Sequence, residues 1–444
     1  MDYFTGVRRK ETLEIGELLK AAKPGHDVRV NGAVHAIRDM GTVAFVILRK
    51  REGLLQGVYE EGIADFDLKE IKEAAVIEIE GRLEENVRAP GGIEIKMKKL
   101  KILSEPADER MPLAISKWKL KTSLEAKLNY RSIALRNIRE RAKFRIQEGL
   151  TRGFRDFLYE QGFTEIHTPK IGARGAEGGA NIFRLEYFHR PAVLAQSPQF
   201  YKQMMVGVFD RVFETAPVFR AEKHNTKRHL NEYTSLDFEM GYIDGFEDIM
   251  AMETAYLQYA MELLERDYGK ELQILEVTLP DVTRIPAVKF GEIKELVSER
   301  YGHRMRNPFD LEPEEELLIG RYAKEEWDSD FVFVTHYPSK KRPFYAMDDP
   351  KDSRYTLSFD LLFKGMEITT GGQRIHDYRR LTEKIAARGM SEEGMEDYLD
   401  TFRHGMPPHG GLGIGLERLT MKLVGEDNVR ETTLFPRDLS RLEP

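Results

Sequence analysis

Between about Asp27 and Leu103 the chain runs through short alternations of apolar and polar residues: VRVNGAVHAIRD, TVAFVILRKREG, LLQGVYEEG, AAVIEIEGRL and IEIKMKKLKIL. They are β-rich and mostly separated by glycine or charge clusters, so each predicts a strand. Five strands in under 80 residues, with one helix predicted over IADFDLKEIKEA, suit a small closed barrel of the OB type. The next stretch, SEPADERMPLAISKWKL, contains prolines and no periodicity, and predicts a hinge. The expected domains are a barrel over 1–105, a hinge over 106–135 and a larger domain over 136–444.

In the larger domain the period changes. Phe144, Leu150, Phe154 and Phe157 or Leu158 form a stripe with helical spacing, and Gly162 is placed to end that helix. FTEIHTPKI then predicts a strand carrying Pro169, at an edge, a bulge or an interface. Further strands are expected at RVFETAPVFR, YTSLDFEMGYI, DFVFVTHYP, YTLSFDLLF and MEITTGG, with helices over 246–267, 290–301 and 376–388. Strands often follow strands, so the predicted class is α+β, an antiparallel sheet flanked by helices, rather than a doubly wound parallel sheet.

Composition narrows the function. At roughly 150 residues per domain, 444 residues starting with Met, read as a complete product, allow two or three domains. There is no cysteine, which excludes disulfides, thiolate nucleophiles and Cys-ligated metals. The N-terminal segment has no signal-like apolar core and no run approaches the ~18 residues of a membrane span, so a cytoplasmic protein is expected. The net charge of −7 argues against coating nucleic acid by bulk charge. Local basic runs remain, at Lys96, Lys98, Lys99 and Lys101, at Lys117, Lys119 and Lys121 around Trp118, and from Arg136 to Arg145. They suit either a solvated face or one that meets phosphate.

Four stretches carry candidate chemistry. In VFRAEKHNTKRHLNEYTSLDFEMGYI, two strands flank a loop rich in Lys, Arg, His and Asn. Alternation puts Thr234, Leu236, Phe238, Met240 and Tyr242 on one face and Tyr233, Ser235, Asp237 and Glu239 on the other. Together with Arg220 the polar face suits a nucleotide, with guanidinium on phosphate and a ring on the base, but equally an exposed amphipathic hairpin. HGGLGIGLERLTMKL leads glycines into a helix with a Leu416, Leu419, Leu423 stripe, and Arg418 points away from it toward a possible anion. FDLLFKGMEITTGGQRIH offers a Lys364-Gly365 turn, Glu367 as a metal ligand and Arg374 behind two glycines. LAQSPQFYKQ gathers Gln196, Ser197, Gln199 and Lys202 as a donor-rich cluster.

Together these stretches resemble the class II aminoacyl-tRNA synthetases. FRAE at Phe219 to Glu222 resembles motif 2, GLGIGLERL motif 3, and the helix leading to Pro169 motif 1. QSPQFYKQ, EYTSLDFEM and GGQRIHDY are similar to the aspartyl-tRNA synthetases in particular, and barrel plus hinge is the subclass IIb layout. The large insertion between motifs 2 and 3 of the usual bacterial enzymes is missing, as in the shorter archaeal or eukaryotic type.

The resemblance implies ATP-dependent formation of aspartyl-adenylate and transfer of aspartate to tRNA, with Mg2+, in a homodimer with Pro169 near the twofold axis. By position, Arg220 would bind the α-phosphate, Arg418 the γ-phosphate, Glu222 the adenine amino group and Tyr233 the ring. Arg374 and Lys202 would hold the aspartate side chain, with Asp237 and Gln199 orienting it and Glu177 on the α-ammonium. Glu367 and Thr370 would ligate Mg2+. Thr370 stands where serine is usual, and strict alternation puts Thr369 on the face of Glu367, so a bulge is required.

In the barrel, Phe45, Gln56 and Glu94 match anticodon-contacting positions of the family, with Arg38 and Arg49 beside them. By composition alone, Phe45 in TVAFVIL reads as core. His35 and Pro90 stand where enzymes confined to the tRNA for aspartate tend to carry Trp and Lys. The pairing resembles non-discriminating enzymes, which also charge the tRNA for asparagine. The alternatives are a discriminating aspartyl enzyme, an asparaginyl-tRNA synthetase, an asparagine-forming enzyme on the same fold and a non-catalytic relative. Lys202 speaks against a carboxamide substrate, which has no charge to pair with it.

Overall fold

The computed structural model describes residues 6–7, 10–21, 23–108, 110–175, 181–223, 226–304 and 306–443. The chain divides into two compact units, Met1–Glu140 and Arg141–Pro444.

In the first unit, alternation folds β1 (Asp27–Asp39), β2 (Val43–Arg49), β3 (Leu54–Glu60), β4 (Val76–Glu85) and β5 (Ile93–Ser104) into a closed barrel, in the order β1-β2-β3-β5-β4. Val30, Val34, Val46, Leu48, Leu55, Ile77, Ile79 and Ile95 fill its interior. The helix expected over IADFDLKEIKEA does not form; only a 3-10 turn, Leu68–Glu70, is present. Asp67 and Glu70 cap that turn reciprocally, and Ile71 leaves it extended to pack into the barrel core. A longer helix would withdraw Ile71 from that core. Among the described residues from 105 to 122 there is neither helix nor strand. The segment is nonetheless pinned: Leu113, Ile115 and Ala134 share a small core, and Asn137 Nδ2 donates to the carbonyls of Ile115 and Lys117 at 2.9 and 2.6 Å.

The second unit is built on an eight-stranded sheet. In chain order its strands are β6 (Thr164–Glu165), β7 (Arg211–Phe219), β8 (Glu232–Gly241), β9 (Ala287–Lys289), β10 (Phe331–Thr335), β11 (Ser358–Phe363), β12 (Glu367–Gln373) and β13 (His409–Gly415). Their spatial order is β9-β10-β11-β12-β13-β8-β7-β6. Pairing is antiparallel throughout the centre and parallel only at the edges, β6 with β7 and β9 with β10. The expected strand through Pro169 is reduced to Thr164–Glu165, while Ile171–Gly172 pairs elsewhere, with Arg190–Leu194. Proline has no N–H to give a ladder, and the chain leaves the sheet before it.

One face of the sheet is apolar. Phe213, Leu236, Phe238, Phe359, Leu361, Phe363, Leu412 and Ile414 pack against helix Ile138–Glu160, through Ile146, Leu150, Phe154 and Leu158, and helix Glu247–Leu275, through Tyr256, Leu257 and Leu264. Phe144 of the predicted stripe is only half-buried. The other face carries the polar residues, and the candidate site lies there.

Candidate active site

β7 and β8 form the expected hairpin, but not an exposed one. Leu236 and Phe238 are fully buried on the helix side, and Asp237 and Glu239 are 2% and 0% exposed on the opposite side. Register places Glu214, Asp237, Gly413, Thr370 and Asp360 in one row across β7, β8, β13, β12 and β11. Two ladder steps separate Asp237 from Thr370, roughly 10 Å. The residue between them is glycine, so no side chain stands in the gap. The glycines of HGGLGIG thus lie in a strand rather than a phosphate-binding loop; a Cβ on Gly411 would lie 2.2 Å from Glu239 Oε2.

On the Asp237 side two buried cations converge. Lys202, on helix Gln199–Phe209, donates through Nζ to Asp237 Oδ1 at 3.0 Å and to the Leu412 carbonyl at 2.8 Å, and lies 3.4 Å from Glu239 Oε2. Arg374 donates from Nε to Glu239 Oε1 at 2.8 Å and from Nη2 to the Gly411 carbonyl at 2.8 Å. Burial raises the Glu239 carboxyl, but Arg374 and Lys202 outweigh it and hold it below its ordinary range. His409 completes the wall. Burial lowers it to about 4, so it is uncharged at neutral pH, with Nδ1 2.9 Å from the Pro407 carbonyl and Nε2 2.9 Å from Gln203 Nε2. Gln199 Nε2 is buried with no hydrogen-bond partner, which marks a donor available to a ligand. Glu177 lies outside the described residues.

On the Thr370 side the required bulge is present. Leu361 pairs with Thr369 and Leu362 with Glu367, which leaves Ile368 as the extra residue. Ile368 packs into the core and the Thr369 hydroxyl turns to Glu253 Oε1 at 2.5 Å, while Thr370 Oγ1 donates to Glu367 Oε1 at 3.0 Å. Burial pushes Glu367 up, but Arg418 first, then Thr370 and Arg220, bring it below its ordinary range. Burial raises neighbouring Asp360 to about 6 against the pull of Arg342, whose Nη2 donates to it at 2.7 Å. An ionised carboxylate beside a hydroxyl is a hard-oxygen donor set that fits Mg2+ shared with phosphate oxygens. Among the described residues no cluster of three His, Asp or Glu forms a complete metal cage of its own.

The nucleotide candidates gather beside this point. The Arg220 guanidinium lies 5.8 Å from the Tyr233 ring centre, and Asn181 Nδ2 donates to Glu222 Oε2 at 3.1 Å. Arg418 Nη1 donates to the Glu367 carbonyl at 3.1 Å and lies 3.7 Å from its Oε2. Leu416, Leu419 and Leu423 bury the other side of its helix, as the stripe predicts.

Several participants escaped the sequence reading. Glu239 was visible on the polar face but had no partner until Lys202 and Arg374 met there. Asp360 becomes legible only by counting across the Lys364-Gly365 turn and through the bulge. His229, with Nδ1 2.6 Å from Thr226 Oγ1, gave no signal beyond a basic loop.

In the barrel, Phe45 points outward and is half-buried, so the core reading fails; Ala44, Val46 and Leu48 alternate inward. Arg38 is its cross-strand partner, while Gln56 pairs with both Ile47 and Glu94, so all lie on one outer surface. Gln56 and Asn86 both donate to Glu94 Oε2, at 2.8 and 2.7 Å. His35 is the bulge residue of β1, buried between Val34 and Ala36, and Pro90 opens the turn Pro90–Gly92. Arg49 donates to the Arg136 carbonyl at 3.3 Å. The basic run is less bare than its sequence suggests: Lys96, Lys98 and Lys99 pair with Glu60, Asp27 and Glu80. Lys143 is buried between Glu426 and Glu431.

Comparison with known proteins gives the family. Residues 28–103 match the OB-fold nucleic acid binding domain, and residues 123–439 match the tRNA synthetases class II (D, K and N). The chain is 46% identical to the aspartate--tRNA(Asp/Asn) ligase of Thermus thermophilus, over 95% of this chain and 98% of that one. It is 47% identical to the Deinococcus radiodurans protein of the same name, over 95% and 96%. Among solved structures it resembles asparaginyl-tRNA synthetase from Pyrococcus horikoshii, with TM-score 0.90 and 30% identity over 98% of this chain and 100% of that one. The chain belongs to the class II tRNA synthetases of the D, K and N group, within its aspartate--tRNA ligases.

Proposed function

We propose that the chain activates L-aspartate with ATP and transfers it to tRNA, serving the tRNAs for both aspartate and asparagine. The observation that carries the substrate assignment is the convergence of buried Lys202 and Arg374 on one carboxylate, Glu239. A lysine ammonium and an arginine guanidinium set together are the donors that a ligand's side-chain carboxylate meets best. A carboxamide offers those cations a weaker, uncharged acceptor, which disfavours asparagine although the fold is shared with asparaginyl enzymes.

The α-carboxylate of aspartate attacks the ATP α-phosphorus, a P–O bond forms, and pyrophosphate leaves with the electrons of the broken P–O bond. Attack of an anion on an anion needs charge and alignment. Arg220 and Arg418 supply charge at the phosphates, Tyr233 and Glu222 hold the adenine, and Gln199 and Asp237 orient the amino acid. Glu367 and Thr370 would hold Mg2+, which neutralises phosphate charge. A terminal ribose 3′-hydroxyl of tRNA then attacks the acyl carbon and AMP departs.

The outer barrel surface of Arg38, Phe45, Gln56 and Glu94 is read as the anticodon platform, with His35 and Pro90 setting tolerance at the third base. Support for the wider specificity is the pair of relatives named for both tRNAs. We further read the chain as a homodimer through the Pro169 region and as cytoplasmic; no helix among the described residues is long and apolar enough to cross a membrane. The test is aspartylation of purified transcripts of both tRNAs at equal, subsaturating concentration. Comparable rates are expected. Charging of the aspartate tRNA alone removes the wider specificity, and charging of neither removes the activity.

A further inference from the structure

Helix Pro313–Trp327 carries none of the motifs, yet one of its side chains reaches the site. Glu316 is buried, and its Oε1 and Oε2 accept from Arg228 Nη2 at 2.8 and 2.7 Å. Oε2 also accepts the Glu367 backbone N–H at 2.9 Å. The Arg228 carbonyl in turn accepts Arg418 Nε at 3.1 Å, and Arg418 Nη1 donates to the Glu367 carbonyl at 3.1 Å. Four residues from four segments therefore close a ring: the helix, the β7–β8 connection, β12 and helix Leu416–Val424. The helix is seated for this contact by two glycines, since a Cβ on Gly320 would lie 2.3 Å from Gly365 N.

The arrangement is costly in itself. The Glu316 carboxylate and the Arg228 guanidinium are both taken out of water to make this contact, with side chains 7% and 14% exposed. An apolar side chain would pack there without that penalty, so the pair is better explained by placement than by stability. We propose that Glu316 is a positioning residue for adenylate formation, fixing Arg228 and the first residue of β12 so that Glu367 and Arg418 meet nucleotide phosphate and Mg2+ in one preset geometry. The proposal rests on the functional reading above, which takes Glu367 and Arg418 as the metal and phosphate groups.

The test uses the full chain with Glu316→Gln, Glu316→Ala, Arg228→Met and the Glu316→Ala/Arg228→Met pair. Each is followed by aspartate-dependent ATP–pyrophosphate exchange and by calorimetric titration with Mg2+–ATP alone. For Glu316→Ala the KM for ATP and the Mg2+ requirement are expected to rise roughly 10–100-fold, with the KM for aspartate unchanged. Glu316→Gln, which keeps an acceptor for the Glu367 N–H, is expected to recover part of the loss. The double variant is expected to be no worse than the poorer single one, because both cut the same ring. A folded Glu316→Ala with wild-type ATP dependence, or with the aspartate KM raised in proportion, overturns the proposal. Where Glu316→Ala does not fold, Glu316→Gln and Arg228→Met decide by the same split. Absence of exchange in the unaltered chain would sink the functional reading instead, and the calorimetric arm would still decide whether Glu316 governs nucleotide binding.

Discussion

Arg374 and Glu239 face each other with Nε 2.8 Å from Oε1, both buried, and Lys202 approaches the same carboxylate from the other side at 3.4 Å. The two cations and the carboxylates of Asp237 and Glu239 therefore balance without a ligand, and each side chain depends on the others to stay charged in the interior.

Replacing Lys202 by Met is expected to leave Asp237 and Glu239 undercompensated. Removing one partner of a buried pair costs about 3–5 kcal/mol. Calorimetry should show that loss as a lower Tm, and aspartate-dependent exchange should fall to background. A variant that melts like the parent and still exchanges pyrophosphate would contradict the pocket as described.

The Glu367–Thr370 contact predicts a graded series. Thr370→Ser keeps the hydroxyl and should leave the Mg2+ requirement near that of the parent. Thr370→Val removes it, and the Mg2+ concentration for half-maximal exchange should rise roughly tenfold or more. Equal Mg2+ curves for the two variants would exclude the hydroxyl from the metal site.

Glu253 titrates in an unusual range. Burial raises its carboxyl from 4.5 to about 8, so between those values the folded chain keeps a proton that the unfolded chain has released. Stability from this group therefore falls as pH rises through that window. Its Oε1 is bonded to Thr369, and its Oε2 is buried without a partner. Glu253→Leu with Thr369→Val removes both polar groups together, and should raise Tm and flatten its dependence on pH between about 5 and 8. An unchanged dependence in the double variant would show that Glu253 is not held protonated.

Phe45→Ala on the barrel should separate the two half-reactions. Stacking of one base on an aromatic ring is worth roughly 1–3 kcal/mol, so kcat/KM for tRNA should fall about 10–100-fold. Pyrophosphate exchange, which needs no tRNA, should be unchanged. A loss in both assays would mean that Phe45 serves the fold rather than RNA.

Much of this was legible in the chain because period-2 alternation is a strong signal wherever one sheet face is apolar. It assigned the two faces of β8, and, with Thr370 placed beside Glu367 by the family resemblance, it required a bulge between them. It failed where local propensity and packing disagree. The apolar residues of IADFDLKEIKEA have a helical look, but Ile71 is needed in the barrel core. Tyr242, assigned to the apolar face of β8, is exposed because the strand ends at Gly241 and Tyr242 turns left-handed, with φ 59°. Contacts made by distant segments, such as Glu316 with Arg228, leave no periodic trace at all.

Beyond His409 at its start, the strand of glycines beside the pocket contributes no side chain to it, yet its peptide carbonyls hold the two cations, Leu412 for Lys202 and Gly411 for Arg374. Those moorings are part of the main chain, so no point substitution can delete them. Drift at this site can change which charge is present, but the places where charge is anchored are inherited from the backbone itself.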